Sequence, residues 1–262
     1  MLPIEGEGAE NYMKNRIKRM IRGILYEEFE VIKNRQEELM YAQVWHDTIV
    51  DIPWIKGMSG ISPGRWAVGY NYLYVMTRVM DELKPKKILD IGLGISSNLI
   101  SMYMNYIISE DELGFGSGLY EHTIIEQNKE WYDAFSSQNR LSEVTNVKIC
   151  ECINKEFDGN KIYAYKGFVE AIGTNKYDVI SIDGPWGSDR FSRMDIMECL
   201  PEVLAERFVI IIDDTERIGE KDLVQEICTK LEANNIEYDL GTYHGFSDCT
   251  VIAYKGGWFT TL

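Results

Sequence analysis

Cysteine is scarce in this chain and badly spaced for chemistry. The 262 residues contain five, at positions 150, 152, 199, 228 and 249. None forms a Cys-x-x-Cys pair and the number is odd, which argues against both a zinc site and a disulfide framework. They read as small core residues of a chain kept in a reducing compartment. Long apolar runs are missing too: no stretch of about eighteen such residues occurs, so a membrane span is not expected. The first residues lack the charged-then-apolar layout of a secretory signal, and the expected location is the cytoplasm.

Positive charge is also in short supply. Lys and Arg number 27 against 42 Asp and Glu, a formal net charge of −15. Nucleic acid as the main partner requires a basic face, and no run of Lys and Arg advertises one. Repeats and low-complexity tracts are absent. What remains is a folded composition, 45% hydrophobic and 12% aromatic, enough for one large domain or a core with an appendage.

The chain is organised around Lys86–Ser97. Ile88, Leu89 and Ile91 read as a buried strand that ends in a glycine turn and opens a helix over about 96–106. Glycines there let the backbone approach a ligand, and free N–H groups at the helix start favour an anionic group. A dinucleotide fingerprint would place a third glycine at position 97, where Ser97 stands instead. A nicotinamide oxidoreductase is therefore disfavoured.

Asp90-x-Gly92-x-Gly94 resembles motif I of the class I S-adenosylmethionine-dependent methyltransferases. The resemblance implies a Rossmann-like, doubly wound α/β fold: a mostly parallel sheet closed by a C-terminal antiparallel strand pair. It also implies S-adenosylmethionine as cofactor, with Asp90 near its methionine part and Gly92, Gly94 and Ser96 beside it. His122–Glu126 reads as the second strand, and Glu126 falls to the cofactor ribose. Residues 147–165 read as a hairpin-like elaboration with one arm serving as the third strand. Tyr165, opening the loop after it, is the candidate for stacking on adenine.

Tyr177-Asp178-x-x-x-Ile182-Asp183 resembles the fourth-strand motif of the same family. Asp183-Gly184-Pro185, with Arg190–Met194 after it, is similar to glucuronoxylan-type sugar methyltransferases and bacterial relatives linked to surface polysaccharides. That narrower likeness covers about residues 65–214 and implies O-methylation of a sugar or glycan precursor. Asp183 is the first choice for general base and His244 the second. Arg65, Arg190 and Arg193 are the cations suited to an acidic substrate.

Asp183 with Asp213 and Asp214 also resembles the magnesium site of catechol- and caffeoyl-type O-methyltransferases, although Asp214 stands where that family has Asn. This leaves a metal-dependent enzyme acting on another small hydroxyl compound as an alternative, and a non-catalytic scaffold with the same fold as another. N-terminal to the methyltransferase domain (67–262), residues 1–66 are expected to form a helical cap and a lid-like segment. The cap helix carries an apolar stripe from Met13 to Ile32 that suits packing on the parent domain or on a second copy of the chain.

Overall fold

The computed structural model describes residues 6–55, 67–110 and 119–262. Its centre is a seven-stranded sheet in the order β3-β2-β1-β6-β7-β9-β8. β1 (Lys87–Ile91) pairs in parallel with β2 (Glu121–Glu126) on one side and β6 (Tyr177–Ile182) on the other. β3 (Thr145–Ile149) and β7 (Leu204–Ile212) extend the parallel array outward. β9 (Cys249–Tyr254) runs antiparallel between β7 and β8 (Tyr238–Tyr243). The order reverses between β1 and β6, and in open α/β sheets a ligand crevice lies at the carboxyl ends beside such a reversal.

Near-continuous apolar runs make the central strands, because helices cover both faces. Ile88, Val179, Val209 and Ile211 point to one face, where α2 (Tyr70–Leu83) and α3 (Ile95–Ser109) pack. Leu89, Ile91, Ile180, Ile182, Ile210 and Ile212 alternate to the other, against α5 (Phe168–Ile172) and α6 (Ile218–Ala233). The geometry of the strand entry has a local cause. The Asp178 carboxylate accepts hydrogen bonds from the backbone N–H groups of Lys86 and Lys87 at 2.8 and 3.0 Å, fixing the start of β1 against β6.

The hairpin expectation needs one correction. β3 ends at Ile149, and β4 (Cys152–Phe157) pairs only with β5 (Asn160–Tyr165), forming a separate two-stranded sheet. The break falls at Cys150, whose N–H still reaches Glu126 O, while Glu151 O accepts from Lys166. The third strand is thus only the start of the first arm, ending at Ile149, and the hairpin itself, β4 with β5, stands outside the main sheet. The short helix α5 was not legible in the sequence: it is five residues long and stops at Gly173, at φ 66°.

α1 (Gly6–Ile49) is a single 44-residue helix. Among the described residues it is the last third that docks: Trp45 is buried and donates through Nε1 to Thr77 on α2, and Glu38 accepts from Tyr70 N and Phe246 N. Ile17, Ile21, Leu25, Phe29 and Ile32 of the apolar stripe are exposed and do not pack on the parent domain. Among the described residues, no helix is long and apolar enough to cross a membrane. Trp54, in the segment read as lid-like, is buried edge-on against Tyr103 and fills the core. Residues 56–66 of that segment, with Arg65, lie outside the described residues.

Candidate functional site

The chain after β1 turns sharply at Gly92, which has φ +111°, a region side chains other than glycine rarely enter. A Cβ there would meet Gly184 N at 3.1 Å and the Asp183 carbonyl carbon at 3.2 Å. The loops after β1 and β6 therefore cross with their backbones nearly touching. Gly94, two residues on, is different. Its backbone is ordinary and extended, and a Cβ on it would meet nothing within 4 Å. Space is open exactly where a ligand would pass the start of α3.

Behind this turn sits Asp90, fully buried. Its Oδ2 accepts from Ser97 Oγ at 2.5 Å, and Ser97 Oγ in turn accepts from Gly94 N at 3.0 Å. Its Oδ1 accepts from Ser181 Oγ at 2.7 Å. Because Ser181 gives its proton to the carboxylate, the 2.7 Å contact between Ser181 and Tyr72 must have the tyrosine hydroxyl as donor. His122 Nε2 lies 3.7 Å from Oδ2, with His122 Nδ1 against Thr145. Asp90 thus braces the turn from inside and does not face the crevice, a correction to its expected place beside a cofactor. Ser97, where the dinucleotide pattern has glycine, is the link between carboxylate and turn.

Glu126 closes the other side. Its Oε2 accepts from Leu93 N at 3.0 Å and its Oε1 from Asn128 N at 2.7 Å, so one carboxylate ties the end of β2 to the glycine turn. Burial raises its pKa, with those backbone N–H groups opposing the rise. Each oxygen keeps a lone pair for another donor. Trp131 on α4 (Lys129–Gln138) donates from Nε1 to Leu93 O at 2.8 Å and leaves much of its ring exposed beside the turn. Ser96 is buried in the first turn of α3.

A second cluster gathers at the ends of β6 and β7. Asp183, Asp213 and Asp214 bring carboxylate oxygens within 4.8 Å of one another. Asp183 keeps 27% of its side chain exposed, whereas Asp213 is buried. Arg193 reaches into the cluster with only 4% of its side chain exposed. Its Nη2 donates to Asp183 Oδ1 at 3.2 Å and Asp214 Oδ2 at 2.8 Å, and its Nη1 to Asp213 O at 3.0 Å. Glu220, wholly buried in the first turn of α6, lies 3.8 Å from Arg193 Nε. Burial raises the Asp183 pKa to about 6; Arg193 opposes the rise and Asp214 and Asp90 add to it. Asp213 is raised in the same direction, by burial and then by Asp183 and Asp214.

Three oxygen ligands suit a hard divalent ion, yet the residues as arranged do not fit one. A dication about 4 Å from a guanidinium is repelled by about 8 kcal/mol at an effective dielectric near 20. Arg193 cannot shed its proton and is held by two of the three would-be ligands.

Other sequence candidates fall elsewhere. Tyr165 is fully buried and stacks on Phe168, so no ring face is open to a base. Arg190 forms a two-pronged pair with Asp222 at 2.6 and 3.0 Å, committing its fork to α6. Arg193 is committed likewise, within the carboxylate cluster. His244 is half-exposed and pairs through Nδ1 with Asp248 at 3.1 Å, on the β8–β9 loop that also places Ser247 Oγ 3.2 Å from Asp213. Sequence reading missed Arg217, which is half-exposed and 3.0 Å from Asp214. It also missed Glu220; its one signal is the three-residue spacing from Arg217. Trp186 and Phe246, 75% and 73% exposed, stand on the loops that follow β6 and join β8 to β9.

No protein-family model matches the chain, and no curated protein matches it. Among solved structures it is similar to human methyltransferase-like protein 13 in complex with SAH, at 12% identity and TM-score 0.40, over 70% of this chain and 77% of that one. It is also similar to the CMeT domain of citrinin polyketide synthase, at 11% and 0.41, over 71% and 52%. A third is methyltransferase FkbM from Methylobacillus flagellatus KT, at 16% and 0.36, over 80% and 60%. At this level of likeness neither activity nor substrate passes from those proteins to this chain.

Proposed function

We propose that this chain is an S-adenosylmethionine-dependent O-methyltransferase acting on a hydroxyl of a sugar or glycan precursor. The observation that carries the reading is the convergence of three features on adjacent strands. They are the open space at Gly94 after β1, the Glu126 carboxylate ending β2, and the partly open Asp183 after β6. S-adenosylmethionine, when bound, supplies an electrophilic methyl group for in-line displacement. The chain's own residues do the rest.

Gly94 leaves room for the cofactor at the start of α3, and Glu126 accepts hydrogen bonds from vicinal ribose hydroxyls with the lone pairs its backbone donors leave free. Asp183 accepts the proton of the acceptor hydroxyl as that oxygen takes the methyl group. Balance is kept: a C–O bond forms, a C–S bond breaks, and the proton passes to the carboxylate. A pKa of about 6 leaves Asp183 ionised at neutral pH yet more basic than an ordinary aspartate.

The flat exposed rings of Trp186 and Phe246 suit the face of a sugar or another planar acceptor. With the Arg190 and Arg193 donors committed, Arg217 is the described arginine at the cluster still half-open to an anionic acceptor. The sugar acceptor itself rests on the sequence resemblance at Asp183-Gly184-Pro185. The test is transfer of a labelled methyl group from S-adenosylmethionine to a panel of sugar and phenolic hydroxyls. Sugar labelling that falls by about 10²–10⁴-fold in Asp183→Asn supports the reading. Labelling of phenols alone moves the acceptor to the other class. Cofactor binding without turnover on any acceptor makes the chain a scaffold.

A further inference from the structure

The carboxylates of Asp183, Asp213 and Asp214 have a spacing that invites a divalent ion, and the fold has put an arginine among them. Every strong contact of that guanidinium is internal. Nη2 bridges Asp183 and Asp214, Nη1 donates to the Asp213 carbonyl, and Nε lies 3.4 Å from the Pro185 carbonyl. Two of these four acceptors are backbone oxygens of the loops after β6 and β7, so the side chain is anchored to the framework as well as to the acids. Arg193 itself has φ 59°, and Phe191, two residues before it, φ 52°. Non-glycine residues in this region carry strain and persist only where surrounding contacts over-determine them. Burial opposes the charge on Arg193, but Asp183, Asp214, Glu220 and Asp213 outweigh it and hold the side chain cationic.

We propose that Arg193 is a resident cation standing where a divalent ion would otherwise bind, so that the charge of the cluster is partly offset and Asp183 oriented without metal. Arg193 is thus a positioning residue. It holds Asp183 through Oδ1, and among the described residues Asp183 Oδ2 accepts no hydrogen bond. That oxygen is the one left for an acceptor proton. Glu220, with both carboxylate oxygens lacking a hydrogen-bond partner among the described residues, supplies further negative field behind the guanidinium. A fixed cation of this kind cannot be chelated, exchanged or diluted.

The role given to Asp183 Oδ2 rests on the proposed methyl transfer, whereas exclusion of the ion does not, and the test reads metal binding. Full-length protein is titrated with Mn2+ and the free ion followed by electron paramagnetic resonance, with circular dichroism to confirm folding. Wild type is expected to show no binding tighter than about 1 mM, a threshold near 4 kcal/mol of binding free energy. Arg193→Met, which keeps volume and removes charge, is expected to bind Mn2+ at least tenfold more tightly. Asp214→Asn added to it should abolish that gain, and Arg193→Lys should exclude the ion as wild type does. Micromolar Mn2+ binding by wild type that Asp213→Asn removes would overturn the proposal. So would a folded Arg193→Met protein with no gain in affinity. If Arg193→Met does not fold, the wild-type and Arg193→Lys titrations decide: exclusion by both supports the resident cation, and binding by either overturns it.

Discussion

Asp90 and Asp183 end neighbouring strands, yet the fold treats them in opposite ways. Asp90 is sealed, and neutral hydroxyls from Ser97 and Ser181 donate to both of its oxygens. Asp183 keeps part of its side chain open and sits among other carboxylates with a guanidinium as its donor. One arrangement makes a rigid support, because both carboxylate oxygens already hold a hydroxyl donor. The other keeps excess negative charge close to solvent, which is where a group that takes up protons belongs. The difference separates the residue that shapes the crevice from the residue that works in it.

The largest expected effect breaks the support side. Gly92→Ala forces a side chain into φ +111° and against Gly184 N at 3.1 Å; the expected loss is about 2–4 kcal/mol, read from urea unfolding midpoints. Gly94→Ala sharpens the contrast. Its Cβ meets open space and its φ of −161° suits any residue, so stability should stay within about 0.5 kcal/mol while cofactor affinity falls. Equal losses of stability in the two variants would erase the distinction between brace and cradle.

A somewhat smaller effect belongs to the working side, through pH. The Asp183 pKa is about 6 in the folded chain, above the ordinary aspartate value of 3.8. The folded state therefore binds more protons than the unfolded state in that window, and this group's contribution to stability declines as pH rises from about 4 to about 6. The decline amounts to no more than about 3 kcal/mol. Asp183→Asn should flatten that part of the melting-temperature profile, whereas a profile unchanged by the substitution would place the excess charge elsewhere. The smallest expected effect is at the rim: Trp186→Ala should raise the KM for the acceptor several-fold, with stability within about 0.5 kcal/mol and kcat retained.

Much of this frame is legible in the sequence alone. Strand endings at Asp90, Glu126 and Asp183 followed from apolar runs closed by a carboxylate, and the parallel order with its antiparallel close was what the family resemblance implied. What could not be read was partnership across long separations. Ser181 meets Asp90 over 91 residues and Tyr72 meets Ser181 over 109, and no local pattern marks such pairs. Arginine roles failed for the same reason. Arg190 and Arg193 sit three residues apart in sequence, but one is claimed by Asp222 on α6 and the other by Asp183 and Asp214. Tyr165 was expected to open a loop and instead ends β5 with its ring buried on Phe168; periodicity does not say which face of a ring the core will cover.

The central claim is that the Gly92–Gly94 turn and Glu126 form a cofactor cradle braced by Asp90. Calorimetric titration with S-adenosylhomocysteine tests it most directly. The account predicts one-to-one binding in the micromolar range, about −8 kcal/mol, weakened at least tenfold in Glu126→Gln. No binding by folded wild-type protein, or binding indifferent to both Glu126→Gln and Gly94→Ala, would contradict it.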